Sequence, residues 1–173
     1  MKKNGIIRQP VMRRPEEPNT GTLLLYAYKS FDRELFASLH QAGHRGLRSR
    51  HGAVLANLDE RGTRLTTLAR RGGIGTSAMG EVVDELERLG YVERTPDPED
   101  RRAKLVMPTT AGARAIDLAF RTIREIEARY ARLLGQPGHV ALREALTRLA
   151  GTPGGPRAEP RAQARDPNGD RAQ

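Results

Sequence analysis

The segment from Glu85 to Gly112, "ELERLGYVERTPDPEDRRAKLVMPTTAG", restricts the fold of this chain more than any other. Its apolar residues keep a helical spacing up to Leu89, and Gly90 stops the pattern, as glycine does just beyond a helix. "YVER" then reads as a short strand, "TPDPEDRR" as a charged turn and "KLVMP" as the returning strand. A new helical pattern opens near Thr110. A helix, a hairpin and a second helix thus follow one another without a linker.

Upstream the spacing is helical. Leu24, Tyr28, Phe31, Leu35 and Leu39 recur at three- and four-residue steps, with Thr20 as the expected N-cap and Gly43 as the stop. "LRSRHGAVLANLDERG" places Leu47, Val54, Leu55 and Leu58 on one face of a second helix that Gly62 ends. "TRLTTLARRGG" predicts a few extended residues and then a short helix capped by Thr66, with Leu68 and Ala69 inward and a turn at Gly72-Gly73. "IGTSAMGEVVDELERLG" puts Met79, Val82, Val83, Leu86 and Leu89 on one side of the next. After Thr110, Ile116, Phe120, Ile123, Ile126, Tyr130 and Leu133 mark a long helix, "QPGH" breaks it, and "VALREALTRLAG" forms the last one.

Residues 1–20 carry Pro10, Pro15, Pro18 and five basic residues without periodicity, and read as a disordered basic arm. Residues 151–173 hold almost no large apolar side chain and read as a disordered tail. The expected division is one folded domain over 21–150 between these two ends.

Leu65 to Met107 forms one unit: short helix, glycine turn, second helix, charged hairpin. This is the order of a winged helix-turn-helix. The second helix of such a unit fits the major groove and reads base edges near its N-terminus, where free backbone N–H groups also meet phosphate. Its first turn here is "GTSAMG", with Gly75 at the N-cap. Gly80 costs a mid-helix position about 1 kcal/mol relative to alanine, which close approach to DNA or close packing on the preceding helix would each explain. The formal net charge of +9 suits a polyanionic partner, although a composition rich in Arg, Ala, Gly and Pro produces the same figure.

"LTTLARRGGIGTSAMGEVVDELERLGYVERTPDPEDRRAKLVMPTTAG" resembles the winged helix-turn-helix of the MarR (multiple antibiotic resistance regulator) family of bacterial transcription regulators. The most specific part is "LERLGYVERTPDPEDRRAKLV" followed by "TTAG", and the resemblance extends over about Gly21 to Ala150. It implies a mainly α fold, with a DNA-binding lobe at 45–110, a two-stranded β wing, and N- and C-terminal dimerisation helices at 21–44 and 111–150. It implies that Thr76, Ser77, Gly80 and Glu81 face the groove and that Arg101 or Arg102 enters the minor groove or grips its backbone. Asp100 would brace a wing arginine. Leu24, Tyr28, Phe31, Ile123, Ile126, Leu142 and Leu146 would lie in the dimer interface. The partner so implied is a pseudo-palindromic double-stranded operator, bound by a homodimeric repressor responsive to a small-molecule effector.

Glu81 departs from relatives that are often basic there. With little positive charge on the recognition helix, affinity leans on the wing, on Arg70 and Arg71, and on Arg45, Arg48 and Arg50. A winged-helix module that binds protein through the same surface is the rival reading.

Other classes find no support in the residues. The absence of cysteine excludes disulfides. The four histidines, His40, His44, His51 and His139, lack clustered carboxylate partners, so no metal or cofactor is expected and they read as surface or pocket-lining imidazoles. No phosphate loop, cysteine nucleophile or metal-spaced His/Glu set suggests an enzyme. With neither a signal segment nor a membrane-length apolar run, the expectation is a soluble cytoplasmic protein without membrane contact. Hydrophobic residues make up 37% and aromatics 4%, a lean core that gains from burial against a second subunit.

Overall fold

A computed structural model describes residues 17–100 and 102–151. The expected basic arm and tail lie almost entirely outside them, as does Arg101. The order is α1 (Thr20–Gln41), a 3₁₀ turn (Ser49–His51), α2 (Gly52–Leu55), β1 (Thr63–Arg64), α3 (Leu65–Gly72), α4 (Thr76–Arg88), β2 (Val92–Pro96), β3 (Lys104–Pro108) and α5 (Thr110–Ala150). The fold is therefore mainly α with a small antiparallel sheet.

Two helix starts differ from expectation. Asn19, not Thr20, caps α1, its Oδ1 accepting the Thr22 N–H at 2.9 Å. α3 begins at Leu65 behind Arg64, so Thr66 falls inside the first turn. The expected long second helix is only the 3₁₀ turn and α2. Beyond it the chain turns at Gly62, whose φ of +83° favours glycine, and enters β1. A Cβ on Gly62 would also stand 2.3 Å from Met107 Sδ.

β2 and β3 form the expected hairpin, with Val92 opposite Pro108 and Pro96 opposite Lys104. β1 adds a strand too short for sequence periodicity to reveal. It pairs with the free side of β3, Thr63 opposite Val106, giving the order β1-β3-β2. Leu47, Val54, Leu68, Met79, Val83, Leu86, Val92 and Val106 are buried together beneath this sheet and α2–α4. Complete burial of a residue such as Leu68 contributes about 1.5–3 kcal/mol. Leu39 of α1 and Ala115 of α5 join the same core.

α5 changes direction at Gly135 (φ 70°, ψ 158°), just ahead of Pro137, which cannot donate to a continuing helix. The expected break at "QPGH" therefore stands, one residue early. Glu127 ties the two halves together, accepting from Arg143 at 2.6 Å and lying 3.3 Å from His139 Nε2. Between α1 and both halves of α5 lies an apolar groove of about 1000 Å³, lined by Leu24, Tyr28, Phe31, Tyr130, Leu142 and Leu146 among others. Tyr28 is 56% exposed and Leu133 78%. Ile126, expected at an interface, is fully buried within this single chain and serves its own packing. No helix of the described residues is long and apolar enough to cross a membrane.

Candidate nucleic-acid interface

Helix α4 buries Met79, Val83 and Leu86 and leaves Thr76, Ser77 and Glu81 exposed, with Gly80 partly so. Those four residues share one side of the helix, with Ser77 and Glu81 furthest from the buried stripe. The N-cap is Gly75, in extended geometry, and no side chain caps the helix. Among the described residues, no side chain therefore caps the first backbone N–H groups of α4, an arrangement suited to an anion.

The approach to α4 depends on two glycines. Gly73, at φ 66°, ends α3 in the left-handed conformation. Gly72 gives Met79 room to tuck beneath the turn, because a Cβ there would sit 2.7 Å from Met79 Cε. Gly80 is different. A Cβ at that position would meet nothing closer than Leu65 Cδ2, at 3.9 Å, so packing on α3 does not require glycine.

The hairpin is fastened to α4 at its base and to β1 at its tip. The Arg94 guanidinium of β2 binds Glu87 and, at 2.6 Å, Asp84 of α4. At the tip, Asp97 is almost completely buried. One carboxylate oxygen accepts the Glu99 N–H at 2.9 Å; the other accepts Arg64 Nε at 2.7 Å and lies 2.6 Å from its Nη2. The Glu99 N–H and the Arg64 guanidinium hold the Asp97 carboxyl below the usual carboxylate range against the opposing effect of desolvation. The bond to Asp97 in turn raises the pKa of Arg64. Asp100 also closes the turn, but toward the main chain: Oδ1 accepts the Arg102 N–H at 3.0 Å.

Comparison with known proteins bears on this arrangement of helix, turn, helix and fastened hairpin. The sequence model of the MarR family matches residues 45–103. The chain is 40% identical over 58 residues to the uncharacterised HTH-type transcriptional regulator YcgE of Bacillus subtilis (strain 168); this match covers 34% of the chain and 38% of that relative's length. It is similar over nearly all of a solved structure, that of CouR from Rhodococcus jostii RHA1 bound to p-coumaroyl-CoA. There the identity is 30%, the TM-score 0.62, and 76% of this chain and 92% of that one are covered. A structure of the transcriptional repressor CouR bound to a 23-mer DNA duplex gives 27% identity and a TM-score of 0.64 with the same coverage.

The chain belongs to the MarR family.

Within this MarR-family fold the remaining cationic residues divide by what they touch. Arg48 and Arg102 are exposed, as is Arg70 on α3. Arg71 is turned inward, donating to Asn57 O at 3.0 Å and to Asp59 Oδ2 at 2.8 Å, so its charge is largely committed to the loop after α2. Arg50 reaches Glu85 of α4 at 2.6 Å. The expectation of surface or pocket-lining histidines fails at His51, which is fully buried and shares Glu85 with Arg50. Arg64 and Arg94 went unremarked in the sequence. Only Arg94 carried a signal there, since it alternates with buried Val92 along a strand beside an acidic helix end.

Proposed function

We propose that this protein is a homodimeric transcription regulator, acting as a repressor on a pseudo-palindromic double-stranded DNA operator in the cytoplasm and responding to a small-molecule effector. The observation that carries the reading is the exposed Thr76–Glu81 face of α4, with its uncapped N-terminus, beside a hairpin fastened at base and tip. Thr76 and Ser77 supply hydroxyls for phosphate or base edges, and Glu81 can accept from a cytosine amino group. Gly80 brings the backbone close. Arg101 and Arg102 at the wing meet the minor groove or its phosphates, favoured where that groove is narrow. Arg48 and Arg70 add phosphate contacts.

The exposed apolar residues of α1 and the second half of α5 meet a second copy of the chain, and the groove at Leu24, Tyr28, Leu142 and Leu146 is closed by that copy. Two-fold symmetry then sets two α4 helices against successive major grooves, about 34 Å apart. An effector acts by favouring a dimer in which this spacing is wrong. The DNA-bound and p-coumaroyl-CoA-bound forms of the neighbouring repressor support the reading by likeness.

The test is selection of bound duplexes from a random pool, then salt-dependent titration of wild type and an Arg101→Ala/Arg102→Ala variant. Wild type should prefer the selected duplex, and the variant should bind more weakly with a shallower dependence on salt. No preference over random DNA at near-physiological salt, with a protein partner recovered instead, would overturn it.

A further inference from the structure

The buried face of α4 is apolar, and apolar attraction is itself non-directional. Directional bonds add to close packing in setting the angle at which Thr76–Glu81 are presented. Glu85, one helical turn beyond Glu81, carries such bonds. Its Oε2 lies 2.9 Å from His51 Nε2, and its Oε1 accepts from Arg50 Nη2 at 2.6 Å.

The chemistry at His51 is fixed by its other nitrogen. Nδ1 accepts the backbone N–H of Arg48 at 3.0 Å and so carries no hydrogen. The ring proton sits on Nε2 and is donated to Glu85. The imidazole is wholly buried. It therefore has a single satisfied orientation, and it transmits that orientation to the carboxylate. These bonds from His51 and Arg50 hold the Glu85 carboxyl below its ordinary range, against desolvation.

The same 3₁₀ turn faces α1 on its other side. Ser49 Oγ donates to Asp32 Oδ1 at 2.6 Å and lies 3.2 Å from the Tyr28 hydroxyl. Three consecutive residues, Ser49, Arg50 and His51, thus join the helix that lines the apolar groove to the helix with the exposed polar face.

We propose that His51 is a positioning residue for DNA recognition, and that its bond to Glu85 sets the rotation of α4 relative to the 3₁₀ turn and, through Ser49, relative to α1. This rests on the reading of α4 as the DNA-reading helix. It concerns residues that need touch no DNA.

The experiment uses full-length protein with His51→Leu, His51→Gln and Glu85→Ala. A glutamine side chain can place an N–H near the position of Nε2; leucine cannot. The readouts are the ratio of affinities for the selected duplex and the unselected pool, the salt slope, and amide hydrogen exchange along α4. His51→Leu and Glu85→Ala should lower the ratio about tenfold, the order of one lost base contact, with the salt slope unchanged. His51→Gln should recover most of it. A merely structural role would lower the active fraction and leave the ratio intact, which would overturn the proposal. Glu85 is outside the apolar core, so Glu85→Ala serves as the decisive variant if His51→Leu does not fold. Hydrogen exchange separates this failure from failure of the DNA reading. Faster exchange confined to α4 in Glu85→Ala supports positioning even if wild type shows no sequence preference, and unchanged exchange there overturns it.

Discussion

Gly112 lies against the main chain of Tyr91 so closely that a Cβ on it would stand 2.0 Å from the Tyr91 carbonyl oxygen. The contact closes the hairpin onto the first turn of α5. Beside it, Thr109 caps α5 by accepting the Gly112 N–H at 3.1 Å, and its hydroxyl donates to Gly90 O at 2.6 Å. Gly112→Ala should therefore destabilise the protein by about 3 kcal/mol, at the upper end for overpacking, because the obstacle is backbone. Chemical denaturation measures this. A cost below about 0.5 kcal/mol, the scale of an unremarkable surface change, would refute the close approach.

Gly80 gives the opposite forecast. There is room for a Cβ, and alanine is the better helix former by about 1 kcal/mol. Gly80→Ala should melt higher than wild type while binding DNA more weakly. A variant that is both more stable and equally tight would show that the backbone does not approach DNA there.

Asp97 makes the wing sensitive to acid. Its carboxyl is depressed in the folded state, so the stability it contributes is present above the unfolded value, about 3.9, and is lost as pH falls through the lower folded value. Glu85 adds to the same acid limb with the same sign. Asp97→Asn should flatten part of that limb and speed exchange of the Glu99 amide at neutral pH. An acid limb identical to wild type would rule Asp97 out as its source.

Two arginines should separate by readout. Arg71→Ala removes bonds to Asn57 O and Asp59, and should cost about 1 kcal/mol of stability. Arg102→Ala should leave the melting midpoint unchanged and reduce the salt slope of DNA binding by about 1. Exchanged phenotypes would reverse the two assignments.

Leu142 is 39% exposed beside the groove. Leu142→Asp should convert a sedimenting dimer to a folded monomer. Unaltered sedimentation would place the second copy elsewhere.

The hairpin was legible in the sequence because every boundary has a chemical marker. Gly90 stops α4, the charged turn separates two apolar runs, and Thr109 with Gly112 starts α5. The residues that hold it in place were less legible. Asp97 could be read as ion-paired, since it sits in a turn beside arginines, yet its partner Arg64 is brought near only by the pairing of β1 with β3. Leu58, just beyond α2, extended the apparent helix, but a left-handed Gly62 and a strand follow instead. His51 has no apolar periodicity to mark its burial; its place is set by acceptors and donors on two separate elements. Arg71 looks as basic in the sequence as Arg70 and is distinguished only by the loop it folds against.

The Asp97–Arg64 tie has a bearing on how such a protein can diversify. The turn it anchors is closed by backbone bonds, from Asp97 N–H to Ala103 O at 3.1 Å and from Ala103 N–H to Asp100 O at 2.8 Å. Among the described residues, the side chains of Glu99 and Arg102 take no part in that closure. They form an exchangeable cassette on a fixed mount: mutation can rewrite the charge presented at the tip without moving the strands beneath it. An engineer seeking altered target preference could therefore randomise these positions while leaving Asp97, Asp100 and Arg64 untouched.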